Sequence, residues 1–155
     1  MNAMETLDNS VFIDKSAFQA YINPDDPNHE KAYTYFLELD DLDRRFTTTN
    51  VVIFSIHQWL RDQFGYMYAE FFLNVVDKSV HKGKLSIIPG TPELEERARQ
   101  FLLQCADYEI TLEEALNAVV VSDYRIRRIL TFNPKYSIMQ KMDANVRTIP
   151  TVTVS

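Results

Sequence analysis

The chain has 155 residues, of which 46% are apolar, and this size predicts one domain with a buried core over 1–155 and excludes a second. A formal charge of −6 argues against a broad electrostatic grip on nucleic acid, although a local basic patch can still hold a phosphate backbone. The single cysteine excludes an internal disulfide, and no Cys/His cluster has zinc spacing, which predicts a reducing compartment. No window approaches the roughly 20 apolar residues of a membrane span, and the first residues lack the apolar segment of a signal peptide. We therefore expect a cytoplasmic protein that does not contact a membrane.

The first predicted element is a short apolar run, VFID at 11–14, which ends in an aspartate before the chain turns helical. A run of this kind is typical of a buried parallel strand. Open α/β sheets place their sites beyond the carboxyl ends of such strands, so Asp14 is the leading candidate for a site residue. Asp14 could equally cap the helix that begins at Lys15 or Ser16, and the residues alone leave the two interpretations about even.

Helices and strands are predicted to alternate along the next part of the chain. Turn chemistry at Asp26-Pro27 starts a helix over about 28–39, whose apolar residues recur at helical spacing. A β-branched strand over 46–49 follows, and Asn50 is predicted to cap the next helix. A further helix over about 66–80 is expected to pack against that one as an antiparallel pair.

The second half of the chain follows the same pattern. A strand over 85–88 is stopped by Pro89-Gly90, and a helix begins at Pro92 with Thr91 as its cap. Cys105 falls on the apolar face of this helix. Free cysteines are among the most buried residues, so Cys105 is predicted to be a core residue and not a nucleophile.

The last elements complete the predicted architecture. Thr111 and Glu114 fit a capping box that opens an apolar helix over 115–121. A strand over 129–132 follows, and the β-branched segment 145–154 is expected to add an edge strand. Because strands and helices alternate from end to end, the predicted fold class is α/β, as a three-layer α/β/α sandwich with a central parallel sheet.

Six short segments form a recognisable pattern through their order and spacing: VFIDKSAF at 11–18, NPDDPNH at 23–29, TTN at 48–50, TPEL at 91–94, TLEEAL at 111–116 and LTFN at 130–133. The pattern resembles the PIN-domain family, and within it the small VapC-like ribonucleases that act as toxins in bacterial toxin–antitoxin pairs. The resemblance covers about 11–137 and implies a PIN-like sandwich, an RNA substrate and an antitoxin protein as partner.

The resemblance also implies a metal site. This sequence lacks some of the acidic residues that form the site in the family. Such domains hold Mg²⁺ or Mn²⁺ with three to four acids, and a metal-activated water attacks an RNA phosphodiester. Asp14 matches the first acid, and Ser16 matches the small polar residue that supports it. Ser55 stands where the second acid, a glutamate, is expected. Glu114 matches the third acid on a longer side chain, and Asn133 replaces the fourth.

Charge counting predicts that metal binding is weak or absent, because a hard dication needs several anionic oxygens and two of the four expected carboxylates are missing. Lys15 stands where a small hydroxyl residue is usual. It is expected to point away from Asp14 unless the helix has already begun. The residues expected to contact substrate are Lys15, Ser16, Ser55, Arg128 and Lys135.

Simpler interpretations stand beside these assignments. Glu114 is an apt third residue of a capping box with Thr111, and the residues alone favour that structural role. The basic cluster at 125–128 together with Lys135 is either a solvated flank of the strand or a binding surface for phosphate groups. The net negative charge of the chain favours the solvated flank.

Two functional hypotheses follow. The first is a metal-dependent endoribonuclease that uses Asp14 and Glu114 as ligands, Asn133 as a neutral oxygen ligand, and Ser55 through water. The second, which the charge count favours, is a PIN-fold protein that has lost catalysis and binds RNA or a protein. Relatives commonly dimerise, and we expect a homodimer interface on the aromatic-rich helix pair, at Trp59, Phe64, Tyr66, Tyr68, Phe71 and Phe72.

Overall fold

The computed structural model describes Leu7 and the residues 9–143 and 145–150. Strands and helices alternate along the described chain, and a single turn of 3₁₀ helix stands at Ala106–Tyr108 and another at Pro134–Ser137. The elements are β1 (Ser10–Ile13), α1 (Lys15–Ile22), α2 (His29–Asp41), β2 (Arg45–Thr49), α3 (Asn50–Phe64), α4 (Tyr66–His81), β3 (Leu85–Ile88), α5 (Pro92–Gln104), α6 (Leu112–Asp123), β4 (Arg128–Leu130), α7 (Ile138–Met142) and β5 (Arg147–Ile149).

The five strands form one parallel sheet in the order β3-β2-β1-β4-β5, so β1 lies at its centre. Phe12 of β1 stands opposite Thr47 of β2 and Ile129 of β4. The strand order reverses between β1 and β4. In open parallel sheets a crevice forms at such a reversal, outside the carboxyl ends of the strands.

Each face of the sheet carries its own apolar core. Val11, Ile13 and Leu130 pack towards α1, α3 and α4 on one face. Phe12 and Ile129 pack towards α5, α6 and α7 on the other. This alternation follows from the period of two along a strand, and it confirms the predicted three-layer α/β/α sandwich. Cys105 is buried in the second core, as predicted.

Several local predictions are refined or wrong. Thr49, not Asn50, caps α3, because the Thr49 hydroxyl accepts from the amide of Val52. The Asn50 side chain instead accepts a hydrogen bond from the amide of Gly90 at 3.0 Å. The strand predicted at 129–132 is β4, which ends at Leu130. The predicted C-terminal strand is present as β5 at the edge of the sheet, and residues 151–154 of that prediction lie outside the described residues.

Within the described ranges, no helix combines the length and the apolar character needed to cross a membrane.

Candidate functional site

Asp14 lies at the carboxyl end of the central strand and is almost wholly buried, with 2% of its surface exposed. It is the N-cap of α1, since its Oδ1 accepts from the amide of Ala17 at 3.0 Å. Its Oδ2 accepts from the hydroxyl of Thr131 at 2.8 Å, and the hydroxyl of Ser16 lies 2.8 Å from Oδ1. The capping interpretation of Asp14 is therefore confirmed, and both of its oxygens are engaged by the protein.

Burial raises the pKa of the Asp14 carboxyl from its ordinary value of 3.8 to about 6. Burial is the largest cause, because a charged carboxylate loses its water shell. The hydrogen bonds from Ala17, Thr131 and Ser16 stabilise the charged form and oppose that rise, and the nearby charge of Glu113 adds to it. The hydrogen bonds therefore offset only part of the rise in pKa that burial causes.

Ser16 and Thr131 tie the ends of the two central strands together. The Ser16 hydroxyl accepts from the amide of Phe132 at 2.8 Å, and the Thr131 hydroxyl accepts from the amide of Asn133 at 2.9 Å. Since Asp14 bonds to both hydroxyls, the three side chains hold the chain after β1 against the chain after β4. The structure thus brings Ser16 to Asp14, as predicted, in a supporting position.

Glu114 and Asn133 also meet at this end of the sheet. Glu114 completes a capping box, in which its Oε1 accepts from the amide of Thr111 at 2.7 Å and its own amide donates to the Thr111 hydroxyl at 3.1 Å. Its Oε2 accepts a hydrogen bond from Nδ2 of Asn133. The Asn133 Oδ1 accepts from the amide of Lys135 at 3.0 Å and caps the 3₁₀ turn. The capping interpretation of Glu114 is confirmed.

Glu113 is a site residue that the sequence prediction missed. The Ser55 hydroxyl donates to its Oε1 at 2.6 Å, so a carboxylate from α6 approaches the position where α3 lacks one. A signal for this residue was present in the sequence, because the capping box uses only one of the two adjacent glutamates at the start of α6. The structure was needed to show that the second glutamate faces α3.

These residues border a cleft of about 390 Å³ at the carboxyl ends of the strands. Lys15 lines it because helix α1 has already begun there. The exception stated for Lys15, a helix that has already begun, therefore applies, and its side chain is on the same side as Asp14. The residues that line the cleft are Asp14, Lys15, Ser16, Gln19, Thr111, Glu113, Glu114, Asn133 and Tyr136.

A buried chain of hydrogen bonds supports the wall of the cleft. The Thr49 hydroxyl donates to Oδ1 of Asn117 at 2.9 Å, and Nδ2 of Asn117 donates to the hydroxyl of Tyr136 at 2.9 Å. Burial raises the pKa of Tyr136 well above its usual value, and the charge of Asp14 raises it further. Tyr136 therefore keeps its proton and stays neutral beside the acids of the cleft.

Three predicted substrate contacts, Ser55, Arg128 and Lys135, do not line the cleft, and Ser55 meets it only through its hydrogen bond to Glu113. Arg128 begins β4 and stands opposite Val11, which places it at the amino end of the sheet. This position corrects its assignment to the site. Lys135 follows Asn133, and its ammonium donates to the backbone carbonyl of Glu109 at 2.6 Å.

The side chains of the cleft do not fit a divalent metal. No group of three or more His, Cys, Asp or Glu side chains within the described residues is arranged to hold a metal ion. The reason lies in their partners: Asp14 caps α1, Glu113 accepts from Ser55, and Glu114 closes its capping box and accepts from Asn133. Mg²⁺ and Mn²⁺ prefer several oxygens that converge on one point, whereas each of these carboxylates is held by a hydrogen-bond partner of its own.

The sheet order, the three layers and the cleft at the reversal of strand order define a PIN-like fold. The chain is similar to VapC20 of Mycobacterium tuberculosis, a sarcin-ricin loop cleaving toxin. The TM-score is 0.68 at 20% identity, over 83% of this chain and 93% of that one. It is also similar to a chain in the crystal structure of VapBC2 from Rickettsia felis, in which VapBC2 is bound to a DNA fragment from its own promoter. There the TM-score is 0.63 at 13% identity, over 90% of this chain and 96% of the other.

A third similar structure is FitAcB from Neisseria gonorrhoeae, with a TM-score of 0.60 at 13% identity, covering 89% of this chain and 95% of that one. No model of a known protein family matches the sequence, and no curated protein matches it. At these identities the likeness establishes the fold, which is that of VapC-type toxins.

Proposed function

We propose that this chain is a VapC-like PIN-fold protein that has lost metal-dependent cleavage of RNA and acts by binding RNA or a protein partner. The observation that carries the proposal is the hydrogen bond from Ser55 to Glu113. At the position where the resemblance implies a glutamate, α3 offers a hydroxyl, and this hydroxyl donates a hydrogen bond to a carboxylate oxygen of Glu113.

The electrostatic consequence is large. Two unit charges 4 Å apart attract by about 4 kcal/mol at an effective dielectric constant near 20, and a dication doubles that attraction. Ser55 and Asn133 each remove one such attraction relative to the acids they replace. Lys15, which lines the same cleft, adds a positive charge that repels a metal ion. Mg²⁺ or Mn²⁺ is the cofactor that the resemblance implies, and its binding here is proposed to be weak or absent.

An antitoxin protein is the partner that the resemblance to toxins implies, and a homodimer is proposed with it. Tyr66, Tyr68 and Phe71 are 60%, 62% and 67% exposed on α4, which supports an interface on this face. Phe72 is buried and Trp59 packs against the core, so these two are removed from the proposed interface. Sedimentation should give a dimer, and charged substitutions at Tyr68 and Phe71 should yield monomers; a monomeric wild type would remove the idea. A cytoplasmic location is also proposed, because the single cysteine favours a reducing compartment.

The test of lost catalysis is cleavage of a mixed RNA pool in millimolar Mn²⁺ or Mg²⁺ against EDTA. We expect no metal-stimulated cleavage by the wild-type chain. An Asp77→Ala variant, which removes an exposed carboxylate from α4, is the matched control for Asp14→Ala. EDTA-sensitive cleavage that persists in Asp77→Ala and disappears in Asp14→Ala would overturn the proposal in favour of an active endoribonuclease.

A further inference from the structure

Basic residues collect at the amino ends of the strands, on the edge of the sheet opposite the cleft. Arg44 and Arg45 stand at the start of β2, Arg127 and Arg128 at the start of β4, and Arg147 at the start of β5. We call these five residues the arginine edge. Because all strands are parallel, their amino ends lie together, although the residues come from three distant parts of the sequence. The arginine edge was not predicted as a unit.

The register places the side chains of Arg128 and Arg147 close to one another. Arg128 stands directly opposite Arg147 on the neighbouring strand, and neighbouring strands are about 4.8 Å apart. Residues paired in this way project to the same face of the sheet. The amide of Arg147 also donates to the carbonyl of Arg127 at 2.8 Å, which fixes the start of β5 beside the start of β4.

The guanidinium groups of the arginine edge have no carboxylate partner among the residues that the structure describes. The arginine ion pairs within those ranges, Arg97 with Asp123 and Arg99 with Glu96, involve α5 instead. Arg44 donates to the side-chain oxygen of Asn9, a neutral acceptor, at 2.7 Å. The chain has more acidic than basic residues, yet within the described ranges no Asp or Glu forms an ion pair with these five arginines.

This arrangement is unfavourable for the isolated fold. Like charges directly opposite on neighbouring strands destabilise a sheet. Burial, together with the charges of Arg44 and Arg127, lowers the pKa of Arg128 from its usual value. A cluster of mutually repelling charges is expected to be stabilised when an anionic ligand neutralises it.

The surface favours phosphate groups over an acidic peptide. Ile126, Ile129 and Val146, which neighbour the arginines in sequence, are buried, so they leave little apolar area for a peptide to cover. The guanidinium fork binds phosphate oxygens in a bidentate way. The edge spans β2, β1, β4 and β5, about 14 Å at the usual strand spacing, and one duplex strand carries a phosphate every 3.4 Å or so.

We infer that the arginine edge is a binding site for the phosphate backbone of a nucleic acid, separate from the cleft at the other end of the strands. It deepens the proposed function by naming where a nucleic acid binds without being cleaved. The proposed loss of catalysis and the proposed binding site can be refuted independently of each other. An active nuclease that binds through this edge would refute the loss of catalysis and leave the inference standing.

The test measures binding of short fluorescein-labelled probes by anisotropy: single-stranded RNA, single-stranded DNA of the same sequence, duplex DNA, and a poly-glutamate peptide. The variant Arg128→Gln with Arg147→Gln is expected to bind the single strands about tenfold more weakly at low salt. The slope of log affinity against log salt should become shallower by about 1.4, at roughly 0.7 for each lost contact to a single strand. The RNA and DNA arms distinguish the two sources of the backbone.

The matched control is Arg61→Gln with Arg99→Gln, which removes the same charge from exposed positions on α3 and α5 and should change affinity by no more than roughly twofold. The Arg128/Arg147 variant should melt no lower than wild type, because repulsion is removed. If it does not fold, Arg128→Lys with Arg147→Lys keeps the charge, and it should weaken binding severalfold without changing the salt slope.

Three outcomes would overturn the inference. The first is that no nucleic acid binds the wild-type chain. The second is that the edge variant binds nucleic acids as tightly as the control does. A loss of affinity for nucleic acid in Lys15→Gln alone, in the cleft, is one form of this result. The third is that the peptide alone loses affinity for the edge variant, which would assign the arginine edge to an acidic protein.

Discussion

Substitution of Asp14 by asparagine should change how the stability of the protein depends on pH. The Asp14 carboxyl has a pKa of about 6 in the folded chain against an ordinary value of 3.8. Between these values the folded state holds a proton that the unfolded state has lost. Stability is therefore lost as pH rises from 3.8 through 6. Above pH 6 the whole cost is present, about 3 kcal/mol at 1.36 kcal/mol per pKa unit.

The measurable part of this effect lies between pH 7 and pH 5. Acidification over that range should return about 1.3 kcal/mol of unfolding free energy to the wild-type chain through Asp14 alone. The Asp14→Asn variant cannot titrate at this position. Its stability relative to wild type should therefore be about 1.3 kcal/mol more favourable at pH 7 than at pH 5. Any constant cost of the altered hydrogen bonds to Ala17 and Thr131 cancels in that difference.

Urea unfolding at the two pH values measures this quantity for wild type, Asp14→Asn and an Asp77→Asn control. Asp77 is exposed on α4, so its removal should leave the pH dependence as it is in wild type. An Asp14→Asn curve offset from wild type by the same amount at both pH values would refute the reasoning. The cost of burying the Asp14 charge would then be balanced by its hydrogen bonds.

Two further predictions concern the cleft and its wall. Ser55→Glu with Asn133→Asp restores two carboxylates, one of them beside Glu113, so the double variant should melt below wild type in EDTA and recover several degrees in millimolar Mn²⁺. An equal response of wild type and variant in a thermal-shift assay would show that the four positions do not form a metal site. Asn117→Ala should cost about 1–3 kcal/mol in urea unfolding, because it leaves the buried Tyr136 hydroxyl without its partner. A loss below about 0.5 kcal/mol would contradict that role.

Local patterns in the sequence were enough to predict the elements and several of the capping residues. The apolar run before Asp14, the capping box at Thr111 and Glu114, and the cap at Thr91 are all present as predicted. The two caps depend on hydrogen bonds between residues three or so positions apart, so the sequence contains both partners. The fold class followed from the alternation of elements, because only a parallel sheet with helices on both faces accommodates that order.

Contacts between distant segments could not be predicted in this way. Ser55 and Glu113 are far apart in the chain, and their hydrogen bond depends on how α3 and α6 are placed over the sheet. The arginine edge likewise depends on strand order and register, which bring the starts of β2, β4 and β5 to one end of the sheet. Side-chain periodicity shows which face of a strand is buried, but it does not specify the neighbouring strand. The pairing of Ser55 with Glu113 and the charge of the opposite edge were therefore decided by tertiary packing.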